Sequence, residues 1–155
     1  IIQKCYSPKV HKTRPYYKEC TVSEEWKNFQ NFKIWYKDYK GKVKQDLDKD
    51  ILFQGNKEYS PETCVYTTHF INTVFEDRGS KKLEETKEGK YKIFMMIMGE
   101  ERDLGVFDTK EECYEAFEKR KKEFIIKLAE KTKKKDKIPE CQYQAMINWE
   151  VKAKE

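Results

Sequence analysis

Only two imidazoles occur in this 155-residue chain, His11 and His69. Histidine is the side chain best matched to proton transfer near neutral pH, so general-base chemistry has few places to start. Carboxylates at Asp48 and Asp50 alternate along a segment that reads as a strand, Leu47 to Phe53. Such alternation suits metal ligation and equally suits the outer face of an amphipathic strand. The five cysteines, Cys5, Cys20, Cys64, Cys113 and Cys141, are odd in number, widely spaced and include no CxxC pair. They specify neither a disulfide framework nor a closed zinc site, and they fit a reducing cytosol. Cys20 and Cys64 read either as remnants of a metal site or as small buried hydrophobes.

Charge is the second chemical resource. The chain has 33 basic and 28 acidic residues, a net charge of +5. Its only arginines are Arg14, Arg78, Arg102 and Arg120. Lysine offers a point charge suited to phosphate, whereas arginine offers the planar fork that reads guanine edges. Non-specific nucleic-acid contact is therefore permitted and rich base readout is disfavoured. No secretory signal and no membrane-length apolar run is visible. The expected setting is the cytosol, with no membrane partner. The chain opens on Ile1 instead of Met, as expected of a fragment or of a chain lacking its true start.

The elements that would position these groups follow from pattern. Apolar residues are 37% of the chain, so the core must be small, and aromatic residues at 14% must supply much of it. Residues 1–20 read as an irregular tyrosine-rich arm. Thr21 and Glu24 have capping-box spacing, predicting a helix to about Tyr39 with Trp26, Phe29, Phe32 and Tyr36 facing the core and Gly41 ending it. Gly55-Asn56 and Tyr59-Ser-Pro61 read as turns, and residues 70–75 as a short helix. Residues 76–90 are polar enough to read as a linker. Tyr91 to Met98 and Arg102 to Phe107 form a hairpin. Thr109 and Glu112 make a second capping box, opening a helix to about Lys131 with Cys113, Phe117, Phe124 and Leu128 on one stripe. A lysine-rich linker follows, and Pro139 opens a last helix that buries Ala145, Met146 and Trp149.

Within residues 89–124, Leu104, Gly105, Phe107, Asp108, Thr109, Glu111 and Glu112 occur in order, with Cys113 in an alanine slot. This segment resembles the APETALA-type DNA-binding domain of ethylene-response factors and their phage relatives. The resemblance implies a three-stranded antiparallel sheet packed on one helix. Residues 45–72 (QDLDKDILFQGNKEYSPETCVYTTHFIN) are similar to phage HNH-like homing endonucleases that carry such a domain at their C-terminus. The flanking RPYYKECTVSEEWKNFQNFKIWY and KIPECQYQAMINWEV look like the same group. The resemblance implies an α+β fold. A degenerate HNH-like helix-plus-hairpin lobe over 1–78 would be followed by an APETALA-type sheet, long helix and C-terminal helix over 79–155.

An HNH centre hydrolyses phosphodiesters with a histidine base and a divalent metal. By this resemblance Asp48 falls at the metal aspartate, Asn56 and Asn72 at asparagine positions, and Lys49 or Asp50 at the histidine. A lysine ammonium accepts no proton, so the centre is expected to be dead or very weak unless His69 serves as a displaced base. The expected cofactor is none, or magnesium or manganese if the centre is active. The leading expectation is a non-catalytic nucleic-acid-binding protein, with double-stranded DNA as partner and Lys81, Lys82, Lys90, Lys92 and Arg102 as phosphate contacts. Tyr91 to Met98 is apolar on both faces, which predicts Phe94, Met96 and Met98 as a protein-contact patch. The alternative is therefore an inhibitor, phage-encoded and anti-CRISPR-like, of a host nuclease or defence nucleoprotein complex. A working metal-dependent endonuclease is the third reading.

Overall fold

The structure, a computed structural model, describes residues 1–38, 45–135 and 138–153. It is a mixed α+β fold with two compact units, Ile1–His69 and Phe70–Glu155. No described helix is long and apolar enough to cross a membrane.

The first unit begins with helices α1 (Ile2–Tyr6) and α2 (Pro8–Thr13), followed by a 3-10 turn over Pro15–Glu19. The arm read as irregular is thus helical, in pieces short enough for Pro8 and Pro15 to open the second and third. Strand β1 (Thr21–Val22) then pairs in parallel with β3 (Glu58–Tyr59). Thr21 is therefore strand, and Ser23 caps the next helix, accepting from the Trp26 amide at 3.4 Å. That helix is α3 (Glu24–Lys27), and a break at Asn28 separates it from α4 (Phe29–Asp38). The break rotates the apolar stripe. Trp26 is buried, Phe32 and Trp35 pack partly against it, and Phe29 and Tyr36 are exposed. Gly41 lies outside the described residues. The core of this unit is Cys5, Cys20, Val22, Trp26, Tyr59 and Cys64.

Strand β2 (Gln45–Asp48) pairs antiparallel with β4 (Val65–Thr68), and α5 (His69–Phe75) follows directly. The strand expected to reach Phe53 ends at Asp48, because that carboxylate binds the following amides and turns the chain.

In the second unit, β5 (Lys81–Glu85), β6 (Tyr91–Ile97) and β7 (Glu100–Phe107) form an antiparallel sheet in that order. Residues 81–85, expected in a linker, gain their order by pairing with β6. Residues 70–78, assigned from sequence to the first lobe, belong to this unit. Phe70 meets Phe124 at 6.4 Å and Phe75 meets Trp149 at 4.9 Å. One face of the sheet is covered by α6 (Lys110–Lys135), and the Cys113 thiol reaches the Tyr91 carbonyl at 3.5 Å. The second capping box forms, Thr109 Oγ1 accepting from the Glu112 amide and Glu112 Oε2 from the Thr109 amide, both at 3.2 Å. Helix α6 outruns Lys131 and takes in most of the expected linker. Its buried stripe passes through Lys121 and Ile125, leaving Phe124 only half-buried. Helix α7 (Glu140–Ile147) buries Gln142 and Met146, and Ala145 is half-buried.

Candidate functional site

The segment from β2 through β4 carries Asp48 and Asn56, two of the residues singled out for hydrolysis. Asp48 ends β2 and is buried. Its Oδ1 accepts from the Asp50 amide at 2.7 Å and the Ile51 amide at 2.6 Å. Burial pushes its carboxyl up to about 6, opposed by the Ile51 amide and assisted by Asp50. Lys49 is also buried, its ammonium 2.7 Å from Asp50 and 5.8 Å from the centre of the Tyr59 ring. Asn56 donates to the carbonyls of Lys49 at 2.8 Å and Glu58 at 2.6 Å, and accepts from the Glu58 amide at 3.1 Å. Asp48 and Asn56 therefore hold the loop 48–58 in shape.

His69 opens α5, and its Nδ1 lies 2.6 Å from Asp46 Oδ2 on β2. Sequence reasoning selected His69 but missed Asp46. The antiparallel register, Gln45 to Thr68, brings residues 23 apart together. Asn72 is half-buried three residues further along α5. An HNH centre would need its carboxylate aimed at the metal and an imidazole beside it. Here the Asp48 oxygen is directed at its own loop amides, and an ammonium is its sequence neighbour. Among the described residues, no group of three or more histidine, cysteine, aspartate and glutamate side chains is placed to hold a metal. The residues do not fit an HNH metal centre. What remains is one exposed His–Asp pair, with the imidazole side chain 67% accessible.

The basic residues expected to bind DNA from the sheet divide into two sets. Lys81 and Arg102 share the Met95 register and face the helix: Lys81 lies 5.9 Å from the Tyr114 ring centre and Arg102 5.1 Å from that of Phe124. Lys82, Lys90 and Lys92 are paired. Lys82 meets Glu101 at 2.8 Å and Glu84 at 2.9 Å, Lys92 meets Asp103 at 3.0 Å, and Lys90 meets Asp108 at 3.2 Å. Lys82 and Lys92 also sit 5.5 and 5.2 Å from the Phe94 ring centre. Their stems cover the ring, as long charged side chains do. Phe94, expected to be exposed, is only 9% accessible, Met96 is half-buried, and Met98 is exposed in the β6–β7 turn. The three residues do not form an open apolar patch.

Three lysines of α6 are likewise engaged, whereas Lys127, Lys131, Lys134 and Lys135 are exposed. Lys121 is buried, Lys122 donates to the Ile147 carbonyl at 2.6 Å, and Lys133 pairs with Glu140 at 2.8 Å. Glu118 on the same helix accepts from the Ala153 amide at 2.8 Å.

The N-terminal arm differs in composition. Residues 1–18 contain Lys4, Lys9, Lys12, Arg14 and Lys18 and no acidic residue. All five are exposed. Among the described residues, none is ion-paired with a carboxylate. The arm is anchored from within: Cys5 is buried, and Tyr6 Oη accepts from the Val22 amide at 3.0 Å. Sequence reasoning noted the lysines and tyrosines here but did not assign them to binding. The absence of any acid over this span was the available signal.

Compared with protein-family models, curated proteins and solved structures, the chain matches none of them.

Proposed function

We propose that the chain is a non-catalytic nucleic-acid-binding protein whose phosphate contacts come from the N-terminal arm. The observation that carries this reading is the contrast in pairing. Among the described residues, the arm's five exposed cations have no carboxylate partner, whereas Lys82, Lys90 and Lys92 on the sheet are neutralised in place. The α+β architecture is consistent with descent from an HNH-like protein with an APETALA-type lobe. Hairpin plus helix is followed by a three-stranded antiparallel sheet on one helix. In this chain both ancestral surfaces are altered. Asp48 caps a loop, Lys49 stands where a base would act, and the open sheet face carries Glu84, Glu101 and Asp103 against Lys82 and Lys92. The alternative of a protein inhibitor loses the exposed sheet patch that motivated it.

The test is a DNA-binding titration paired with a cleavage assay on the same sample. Five phosphate contacts correspond to an affinity loss of about 10²–10³-fold between about 50 and about 200 mM salt. No binding at low salt and micromolar protein would remove the reading. Plasmid cleavage with magnesium or manganese, lost on His69→Ala, would reinstate the nuclease.

A further inference from the structure

We infer that α4 is a stacking platform for single-stranded nucleic acid, its bases laid on Phe29 and Tyr36 and its phosphates met by Lys33 and Lys37; this rests on the nucleic-acid reading above. Helix α4 buries none of its residues fully, and Phe29 is 67% accessible. At 3.6 residues per turn, Phe29, Lys33, Tyr36 and Lys37 fall on one stripe, with Asp38 on the opposite side. Lys33 and Lys37 are exposed, and among the described residues neither is paired with a carboxylate. Aromatic rings thus alternate with unpaired cations along one exposed face.

The rings are held from below. Phe32 lies 6.5 Å from Phe29 at 30° and 6.3 Å from Tyr36 at 13°, nearly parallel to the second. Phe32 itself meets the buried Trp26 edge-on at 5.1 Å, and Tyr36 meets Tyr66 at 5.3 Å. The platform is therefore preorganised by the core, which lowers the ordering cost of binding.

Charge and shape select the occupant. An apolar protein helix would cover the rings but leave Lys33 and Lys37 without counter-charges. A polyanion satisfies both. A duplex keeps its base faces stacked on one another, whereas a single strand offers a π-face at every base, without sequence preference. The scarcity of arginine agrees with a site that reads no base edges.

The experiment is fluorescence anisotropy of the full chain with a labelled thymidine oligonucleotide of about 20 nucleotides and a hairpin duplex of matching length. The variants are Phe29→Ala, Phe29→Tyr and a triple change of Lys9, Lys12 and Arg14 to Gln. Phe29 is exposed, so its replacement leaves the core intact, and circular dichroism checks this. Phe29→Ala is expected to weaken single-strand binding about tenfold, with duplex binding unchanged and Phe29→Tyr restoring affinity. The triple variant should weaken both ligands. If Phe29→Ala leaves single-strand affinity unchanged while the triple variant still weakens binding, the platform is wrong and the nucleic-acid reading survives. Absence of binding to either oligonucleotide at low salt overturns both.

Discussion

Asp48 illustrates how one side chain changes role with its surroundings. Its carboxyl titrates near 6 because burial disfavours the charged form, while an unfolded aspartate titrates near ~3.9. The folded state therefore holds a proton that the unfolded state releases between these values. Stability from this group is fully present below about pH 4 and is lost as the pH rises through about 6, a loss of about 2–3 kcal/mol. Asparagine keeps the Oδ1 acceptor for the Asp50 and Ile51 amides and carries no charge. Asp48→Asn is expected to match the wild type at acid pH and exceed it by about 2 kcal/mol at pH ~7. Urea unfolding at the two pH values measures this; a gap independent of pH would refute the assignment. Lys121 presents the mirror case. It is buried, its nearest carboxylate, Asp77, is 4.0 Å away and mostly exposed, and burial lowers its ammonium's pKa. Lys121→Met should raise stability by about 1–2 kcal/mol, since a well-packed thioether replaces a poorly compensated buried charge. A lowered urea midpoint would mean that the ammonium has a stabilising role.

At the scale of the element, local chemistry and tertiary demand disagree most clearly in the β6–β7 hairpin. Ile97 pairs with Glu100, leaving a two-residue turn at Met98-Gly99. Both turn residues have positive φ, 53° and 78°. This is the geometry that asparagine followed by glycine adopts most readily, and a methionine there carries strain of roughly 1 kcal/mol. Met98→Asn should therefore raise the thermal midpoint by a few degrees, corresponding to about 1 kcal/mol. An unchanged or lower midpoint would show that the methionine side chain contributes packing that offsets its backbone. The Thr109–Glu112 capping box was legible before any coordinates, because both partners lie within one helical turn. By contrast, the break at Asn28 was not. Thr21 and Glu24 have the right spacing for a cap, yet β1 draws Thr21 into pairing with Glu58, a partner far along the chain.

For the molecule as a whole, the net charge conceals an uneven distribution. Residues 1–69 contain 13 basic and 9 acidic residues, while residues 70–155 are nearly balanced with 20 and 19. The unit with the surplus also contains the acid-free arm with its five exposed cations. Changing Lys9, Lys12 and Arg14 to Gln should flatten the dependence of log affinity on log salt by about 0.9 per contact removed. A titration series in potassium chloride gives the slope directly; an unaltered slope would place the phosphate contacts elsewhere.

The amino-acid sequence by itself determined the local and the cumulative properties. It specified the hairpin of residues 91–107, the long capped helix and the surplus of lysine. Each depends on spacing within a few residues or on composition. Tertiary structure alone decided which charges remain available. Lys82 and Lys92 are neutralised by acids on a neighbouring strand, and His69 is joined to Asp46 across a hairpin. Cation pairing depends on distances between residues remote in sequence, and those distances exist only once the strands have found their register.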